Sequence, residues 1–536
     1  MKTVLMGATA LALCAGFTGA AQAEYTLNIL HINDFHSRFD PITGTDSNCD
    51  AETDAAGECF GGIARLKTII DDTRGKLKDE GANVLLLSAG DNFQGSLYYT
   101  TYKSKVVSDF FNQMGFDVVA TGNHEFDDGP EEFMRFIEAA EFPIIGGNFD
   151  VTKEDSLRGK IKGSIVLDVG GEKIGIIGAT TEDTPEIASP GNVEFTDVVE
   201  YVRGASEALD AAGVDKIILL SHIGYNEDQQ VAASLPLVDV IVGGHTHTLL
   251  SNTAEGAAGP YPTMVENPEG VEVPVVQANQ YGKYLGDIAI TWDDEGNVIK
   301  AEGEPFLIDA SVKGNEEFAT QLAELSGPIE EEMGQVIGST TDAIEGSREV
   351  CRAMECSMGN LLADAILDRT ADQGATIAFQ NGGGIRASID KGDITKGDVL
   401  TVLPFSNTLA TVQINGADVI DALENGVSDV ENGAGRFAQV AGLKYSFDLS
   451  KPAGSRVSDV LVKGEGDQWV PIDEEATYTI VTNNYVRGGG DGYGTFAEGD
   501  NPYDFGPPLE EVVADYIAEQ GGTYTPYTDG RITEIK

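Results

Sequence analysis

The stretch VVATGNHEFD at 118–127 decides the fold. A short apolar, β-branched run breaks at Thr121 and Gly122 into Asn123, His124, Glu125 and Asp127, as a buried strand does when it ends in a functional loop. The same rhythm recurs outward in both directions, in YTLNILHIND (25–34), NVLLLSAGD (83–91), PIIGGNF (143–149), KIGIIGAT (173–180), KIILLSHIG (216–224), VDVIVGGHT (238–246) and PVVQANQ (274–280). Helical stretches separate these runs, so the pattern predicts an α/β domain whose sheet is buried between layers. Asp34, Asp91, Asn123, His222 and His245 each fall at or just past the carboxyl end of such a strand. That edge is where open α/β folds build sites.

From about 315 to 334 the chain turns into a charged, helix-like stretch, NEEFATQLAELSGPIEEEMG, which is expected to connect two domains. A second mixed α/β domain follows. It opens with a helix at MGNLLADAILDRTAD and contains strands such as TIAFQN, LATVQI, LKYSFD and YTIVTNN. The expected division is a leader at 1–23, a first domain at 24–325, a helical linker or hinge at 326–345, and a second domain at 346–536. A chain of 536 residues is long enough to bury a core in each domain.

Residues 1–23, MKTVLMGATALALCAGFTGAAQA, carry one charge at Lys2, an apolar centre, and small residues at Ala21 and Ala23, the pattern of a cleaved export signal. A periplasmic or extracellular protein with no stable membrane anchor is expected. Cys14 would leave with the leader. The four remaining cysteines suggest two local bridges, Cys49 with Cys59 and Cys351 with Cys356. A zinc site built from all four is the competing reading, although no CxxC spacing supports it. With 34 basic against 88 acidic residues, the formal net charge is -54 and the pI about 4.2. Such a surface argues against nucleic acid polymers and anionic lipids as general partners. Any phosphate site must be shielded locally by metal or arginine.

Five of the six histidines occupy polar motifs directly after apolar strands, in HINDFHSRF, ATGNHEFD, LLSHIGYNED and GGHTHT. Together with Asp34 and Asp91 they offer hard oxygen and imidazole ligands, the mixture that zinc, manganese, cobalt or iron takes when it must also hold water and phosphate. His31, ahead of Asp34 on an apolar strand, reads as structural.

The set DFH, GDNFQGS, GNHEFD, SHIG and GGHTH resembles the motifs of the calcineurin-like metallophosphoesterases, in particular the 5′-nucleotidase family. The resemblance implies a four-layer α/β/β/α first domain holding two divalent metal ions. Asp34, His36 and His247 would hold one ion, Asn123, His222 and His245 the other, and Asp91 would bridge them. The family varies at the position of His247. His124 and Asp127 would be the catalytic pair that stabilises the phosphoryl transition state while hydroxide activated by the two metals attacks.

In the second domain, Arg348 and Arg352 lie four apart and Arg386 follows a glycine turn, which suggests a cationic pocket for phosphate or carboxylate. Ordinary surface ion pairs are the competing reading. CRAMECSMGN, NGGGIR, LPFSNTL, GRFAQVAGLKYS and GGGDGY extend the resemblance to the 5′-nucleotidases over nearly the whole remaining chain. It implies that Arg348, Arg352, Asn381 and Arg386 contact phosphate or ribose, that Phe405 and Tyr485 sandwich the base with Asn407 at its edge, and that Asp491 bonds ribose hydroxyls. The function so implied is hydrolysis of nucleoside 5′-phosphates such as AMP, by closure of two domains on a nucleotide. A cyclic nucleotide phosphodiesterase, a UDP-sugar or NAD pyrophosphatase, and a thiosulfate-ester hydrolase share the scaffold as alternatives. An inactive secreted binding protein is the alternative from another class.

Overall fold

The computed structural model describes residues 24–49, 51–405, 407–464, 466, 468–504 and 506–535. The expected leader at 1–23 lies outside the described residues. Two sheets face each other in the first domain. In one, Tyr25–Ile32 pairs in parallel with Asn83–Ser88 and antiparallel with Tyr284–Trp292, and Val118–Ala120 and Ile144–Ile145 continue the parallel side. In the other, Glu172–Thr180, Lys216–His222, Val240–Val242 and Glu272–Val276 run parallel to one another.

Alternation along each strand feeds different cores, because successive side chains point to opposite faces. Leu27, Ile29, Leu85 and Leu87 meet Ile174, Ile176, Ile218 and Leu220 between the two sheets. Leu30, Ile32 and Leu86 pack outward under the helices Ile63–Asp79 and Ser104–Met114. Ile177, Ile217 and Leu219 pack outward under Val198–Ala211. The result is the four-layer α/β/β/α arrangement, and each fully buried Leu or Ile adds about 1.5–3 kcal/mol to it. His31 is structural: buried between the sheets, its Nε2 lies 2.8 Å from Tyr261 Oη.

The helix Glu316–Met333 buries Phe318 and Leu322 in the first domain's outer core and runs on towards the helix Lys396–Val402 of the second. The strand Val336–Thr340 already pairs with Gly392–Thr395 and Thr523–Tyr524. The expected linker at 326–345 therefore comprises the end of this helix and that strand. The second domain is mixed α/β. Its central sheet runs in the order Ala438–Ala441, Ile377–Asn381, Thr477–Asn483, Leu409–Asn415 and Asp500–Tyr503. Ser357–Arg369 and Leu509–Glu519 cover one face, and Gly416–Gly426 covers the other. Cys49 is bridged to Cys59 and Cys351 to Cys356. Among the described residues no helix is long and apolar enough to cross a membrane.

Candidate active site

Asp34, His36, Asp91, His245 and His247 all adopt positive φ, at 50°, 48°, 54°, 77° and 58°. Each such residue costs on the order of 1 kcal/mol, so the surrounding structure must impose it. Backbone bonds between strand ends do so: Asp34 N–H donates to Gly90 O at 3.0 Å, His36 N–H to Asp91 O at 2.9 Å, and Ser37 N–H to Asn92 O at 3.0 Å. Gly90, at φ 89°, must lack a side chain, since a Cβ there would come within 2.7 Å of Gly122 N. The buried Glu125 carboxylate accepts from the N–H groups of Gly122, Asp91 and Asn92 at 2.6, 3.0 and 2.7 Å. It ties the loop after Asn83–Ser88 to the loop after Val118–Ala120. Burial, then the charge of Asp91, pushes the Glu125 carboxyl up to about 7.

The imidazoles are fixed by what their outer nitrogens touch. His222 Nδ1–H donates to Ala89 O at 2.7 Å and His36 Nδ1–H to Phe93 O at 3.1 Å, while His247 Nδ1–H donates to Gln280 Oε1. A carbonyl can only accept, so each Nδ1 carries a proton, and in the neutral rings of His36 and His247 the lone pair therefore lies on Nε2. The Nε2 atoms converge on one another and on carboxylates: His36 Nε2 is 3.1 Å from His247 Nε2, His247 Nε2 is 3.2 Å from Asp34 Oδ1, and His222 Nε2 is 3.0 Å from Asp91 Oδ2. Beyond this approach to Asp91, His222 Nε2 is buried with no hydrogen-bond partner among the described residues. Burial, then Arg386 for His36 and Arg348 for His247, holds those two rings neutral. At His222 the carboxylates of Asp91 and Asp34 overcome burial and push the ring up to about 10, which marks a place that demands positive charge.

Lone pairs facing carboxylates at this separation fit a metal centre. Ligand bonds of about 2.0–2.2 Å around one ion put neighbouring donors about 3.0–3.5 Å apart. Outer nitrogens bonded to carbonyls are the usual support of metal-binding histidines. The donors form the groups Asp34–His36–His247, Asp91–His222–His245 and His36–Asp91–His124. Asn123 Oδ1 stands 3.0 Å from His245 Nδ1, so every residue expected as a ligand is gathered at one place.

His124 lies at the mouth of this cluster. Its backbone N–H donates to Asp91 Oδ1 at 2.9 Å, and its Nδ1 lies 2.6 Å from Asp127 Oδ2. Burial works against the imidazolium, but Asp127 and Asp91 outweigh it and raise the pKa of His124.

A cleft of about 700 Å³ separates the cluster from the second domain. Arg348, Arg352, Asn381, Arg386, Phe405, Asn407, Tyr485 and Asp491 all line it opposite Asp91, His124 and His245. Among the described residues none of the three arginines pairs with a carboxylate, so the surface ion-pair reading does not hold. Arg386 Nη2 donates to His36 Nε2 at 3.1 Å, Arg352 Nη1 to Gly433 O at 3.3 Å, and Arg352 Nε has no partner. Burial and mutual repulsion lower the pKa values of Arg348 and Arg352. Asp491 accepts from Asn381 Nδ2 at 2.6 Å and from Tyr485 Oη at 3.1 Å. The ring of Phe405 stacks on His124, with centroids 5.8 Å apart, and the Arg386 guanidinium stands 5.6 Å from the Phe405 centroid. Arg487, close to Tyr485 in sequence, is paired with both carboxylate oxygens of Asp504.

Sequence reasoning missed Glu125, although it lies inside the NHEFD motif, and Tyr281, whose ring packs edge-on against both His36 and His247 at 5.7 Å. It also missed Gln280, whose only signal was its place at the end of an apolar strand.

The chain matches the family model described as calcineurin-like phosphoesterase over residues 27–249 and the one described as 5′-nucleotidase, C-terminal domain over residues 336–498. A snake venom 5′-nucleotidase of Gloydius brevicauda is 36% identical over 97% of this chain and 90% of its own. The crystal structure of a 5′-nucleotidase precursor from Thermus thermophilus superposes with a TM-score of 0.90 at 42% identity, covering 96% of this chain and 100% of its own. The structure of a Haemophilus influenzae NAD nucleotidase superposes with a TM-score of 0.58 at 26% identity, covering 96% of this chain and 100% of its own.

Proposed function

Because the chain belongs to the 5′-nucleotidase family, and is therefore a phosphate-monoester hydrolase that works with divalent metal ions, we propose that it is an exported 5′-nucleotidase that cleaves AMP and related nucleoside 5′-phosphates. The observation that carries this reading is the opposition across one cleft of a buried histidine–carboxylate cluster and three arginines that pair with no carboxylate among the described residues. In a chain of net charge -54, buried unpaired cations call for an anionic ligand.

Asp34, His36 and His247 would hold one ion and Asn123, His222 and His245 the other, with Asp91 shared. When bound, such ions acidify water and neutralise charge on phosphoryl oxygens. Arg348, Arg352 and Arg386 bind and orient the phosphate from the opposite wall. His124, whose charged form Asp127 favours, would donate towards the phosphoryl group or the leaving oxygen. Phe405 and Tyr485 offer aromatic faces to the base, Asn407 its edge, and Asp491 accepts from ribose hydroxyls. Zinc, manganese, cobalt and iron all suit the donor set. Export is supported by the signal-like residues 1–23 and by two disulfides, which persist in oxidising compartments.

Chromatographic analysis of all products, together with phosphate release, from AMP, ATP, UDP-glucose, NAD and 2′,3′-cyclic AMP incubated with the metal-reconstituted protein tests the substrate. AMP is expected to give the highest kcat/KM. Cleavage of the dinucleotide, sugar nucleotide or cyclic nucleotide alone would overturn the 5′-nucleotidase reading.

A further inference from the structure

The hairpin closed by the first disulfide reaches into the histidine cluster. Ile42–Thr43 pairs with Cys59–Phe60, Cys49 bridges to Cys59, and between them the turn holds Asp46 at φ 64°. Asp46 Oδ1 accepts from Lys283 Nζ at 2.7 Å, and Asp46 Oδ2 accepts from Gln280 Nε2 at 2.9 Å. Gln280, itself buried, presents Oε1 to His247 Nδ1. We propose that Asp46 is a positioning residue that sets the tautomer of His247 through Gln280 and so keeps His247 Nε2 free to bind metal.

Hydrogen-bond bookkeeping fixes every link. An ionised carboxylate can only accept, and Asp46 is ion-paired with Lys283. Gln280 must therefore turn its amide nitrogen to Asp46 and its oxygen to His247. An oxygen facing His247 Nδ1 requires a proton on that nitrogen. The lone pair then resides on Nε2, which points at Asp34 Oδ1 and His36 Nε2. If the amide of Gln280 flipped, its N–H would face Nδ1, the proton would move to Nε2, and the ring could no longer be a ligand there. The same hairpin docks on the second domain, where Ser47 Oγ donates to Ser388 O at 2.7 Å two residues beyond Arg386. The support of His247 is thus anchored at the edge of the domain interface.

The inference rests on the reading of His247 as a metal ligand, and the test separates the two. Zinc affinity of the full mature protein is measured by competition with a chromophoric chelator, for wild type, His247→Ala, Asp46→Asn, Gln280→Glu and the double variant Asp46→Asn/Gln280→Glu. Asp46→Asn puts a donor opposite Gln280 Nε2 and favours the flipped amide. One of the bound ions is expected to weaken roughly 10- to 100-fold, the usual cost of removing an outer support, while the other is unchanged. Gln280→Glu alone places two carboxylates together and weakens the same ion. In the double variant the new amide at position 46 donates to the new carboxylate at position 280, whose other oxygen again accepts from His247, so affinity returns to within a few fold of wild type. If His247→Ala binds zinc like wild type, the ligand reading fails. If His247→Ala loses an ion but Asp46→Asn keeps wild-type affinity, or the double variant is no tighter than either single one, the relay is overturned. The rescue also guards against misfolding of a single variant, since a merely damaged hairpin would not be repaired by a second change.

Discussion

The two walls of the cleft are built by opposite means. On the first-domain wall, Asp34, His36 and His222 have no solvent exposure, the backbones of Asp34 and His36 are held in costly conformations, and both imidazoles are pinned through their outer nitrogens. On the second-domain wall, Arg348, Arg352, Phe405 and Tyr485 stand on short helical turns and loops, and the arginines hold few partners. The contrast teaches where the chemistry and the selectivity reside. A centre that places divalent cations to within tenths of an ångström is overdetermined by the sheets beneath it. On the proposed function, a wall that admits and closes on a nucleotide leaves its arginines without carboxylate partners among the described residues, ready for an anionic ligand.

Changes on the fixed wall should remove turnover and metal together. His222→Ala is expected to cost more than about 100-fold in kcat, because even outer supports of metal ligands cost roughly 10- to 100-fold. Metal analysis beside the kinetics checks this, and a full complement of metal in the variant would break the contrast. On the facing wall, Arg352→Ala should leave metal content intact while kcat/KM for AMP falls roughly 100-fold, as for one removed transition-state donor. Tyr485→Ala should act chiefly on KM, by about 1–3 kcal/mol of lost base stacking, whereas Tyr485→Phe keeps the ring and should restore most of it. A kcat effect without a KM effect at Tyr485 would move that residue to the chemical side of the contrast.

The smallest effect lies in the scaffold. Asp239, half-buried just before the strand Val240–Val242, accepts from Ile217 N–H at 2.6 Å, and desolvation pushes its carboxyl up to about 8. The folded protein then holds a proton that the unfolded chain loses near pH ~4, so stability falls as pH rises from about 4 towards 8. The slope is about 1.4 kcal/mol per pH unit at most. Asp239→Asn should flatten that part of the pH–stability curve in denaturant melts without changing kcat.

The legibility of the sequence follows the same contrast. Strands such as Lys216–His222 were readable because a run of apolar residues buried on both faces has little other use, and the histidines and carboxylates stood out by falling at the ends of such runs. The arginines were readable because cations are scarce in this chain. Glu125 and Asp46 were not, since 88 acidic residues hide two that matter. Their roles depend on contacts 33 and 234 residues away, with Asn92 and Gln280, which no local pattern encodes. Gln280 was equally hidden, because its amide gains meaning only from which end faces which partner.

In the proposed function Asp91 joins the two halves of a metal centre that hydrolyses nucleotides. That role is tested most directly by stripping the mature protein of metal, restoring divalent ions, and following phosphate release from AMP in wild type and Asp91→Ala. Turnover should vanish with chelation, return with metal, and fall to background in Asp91→Ala. Undiminished phosphate release from the Asp91→Ala variant, or from the chelated wild type, would contradict it.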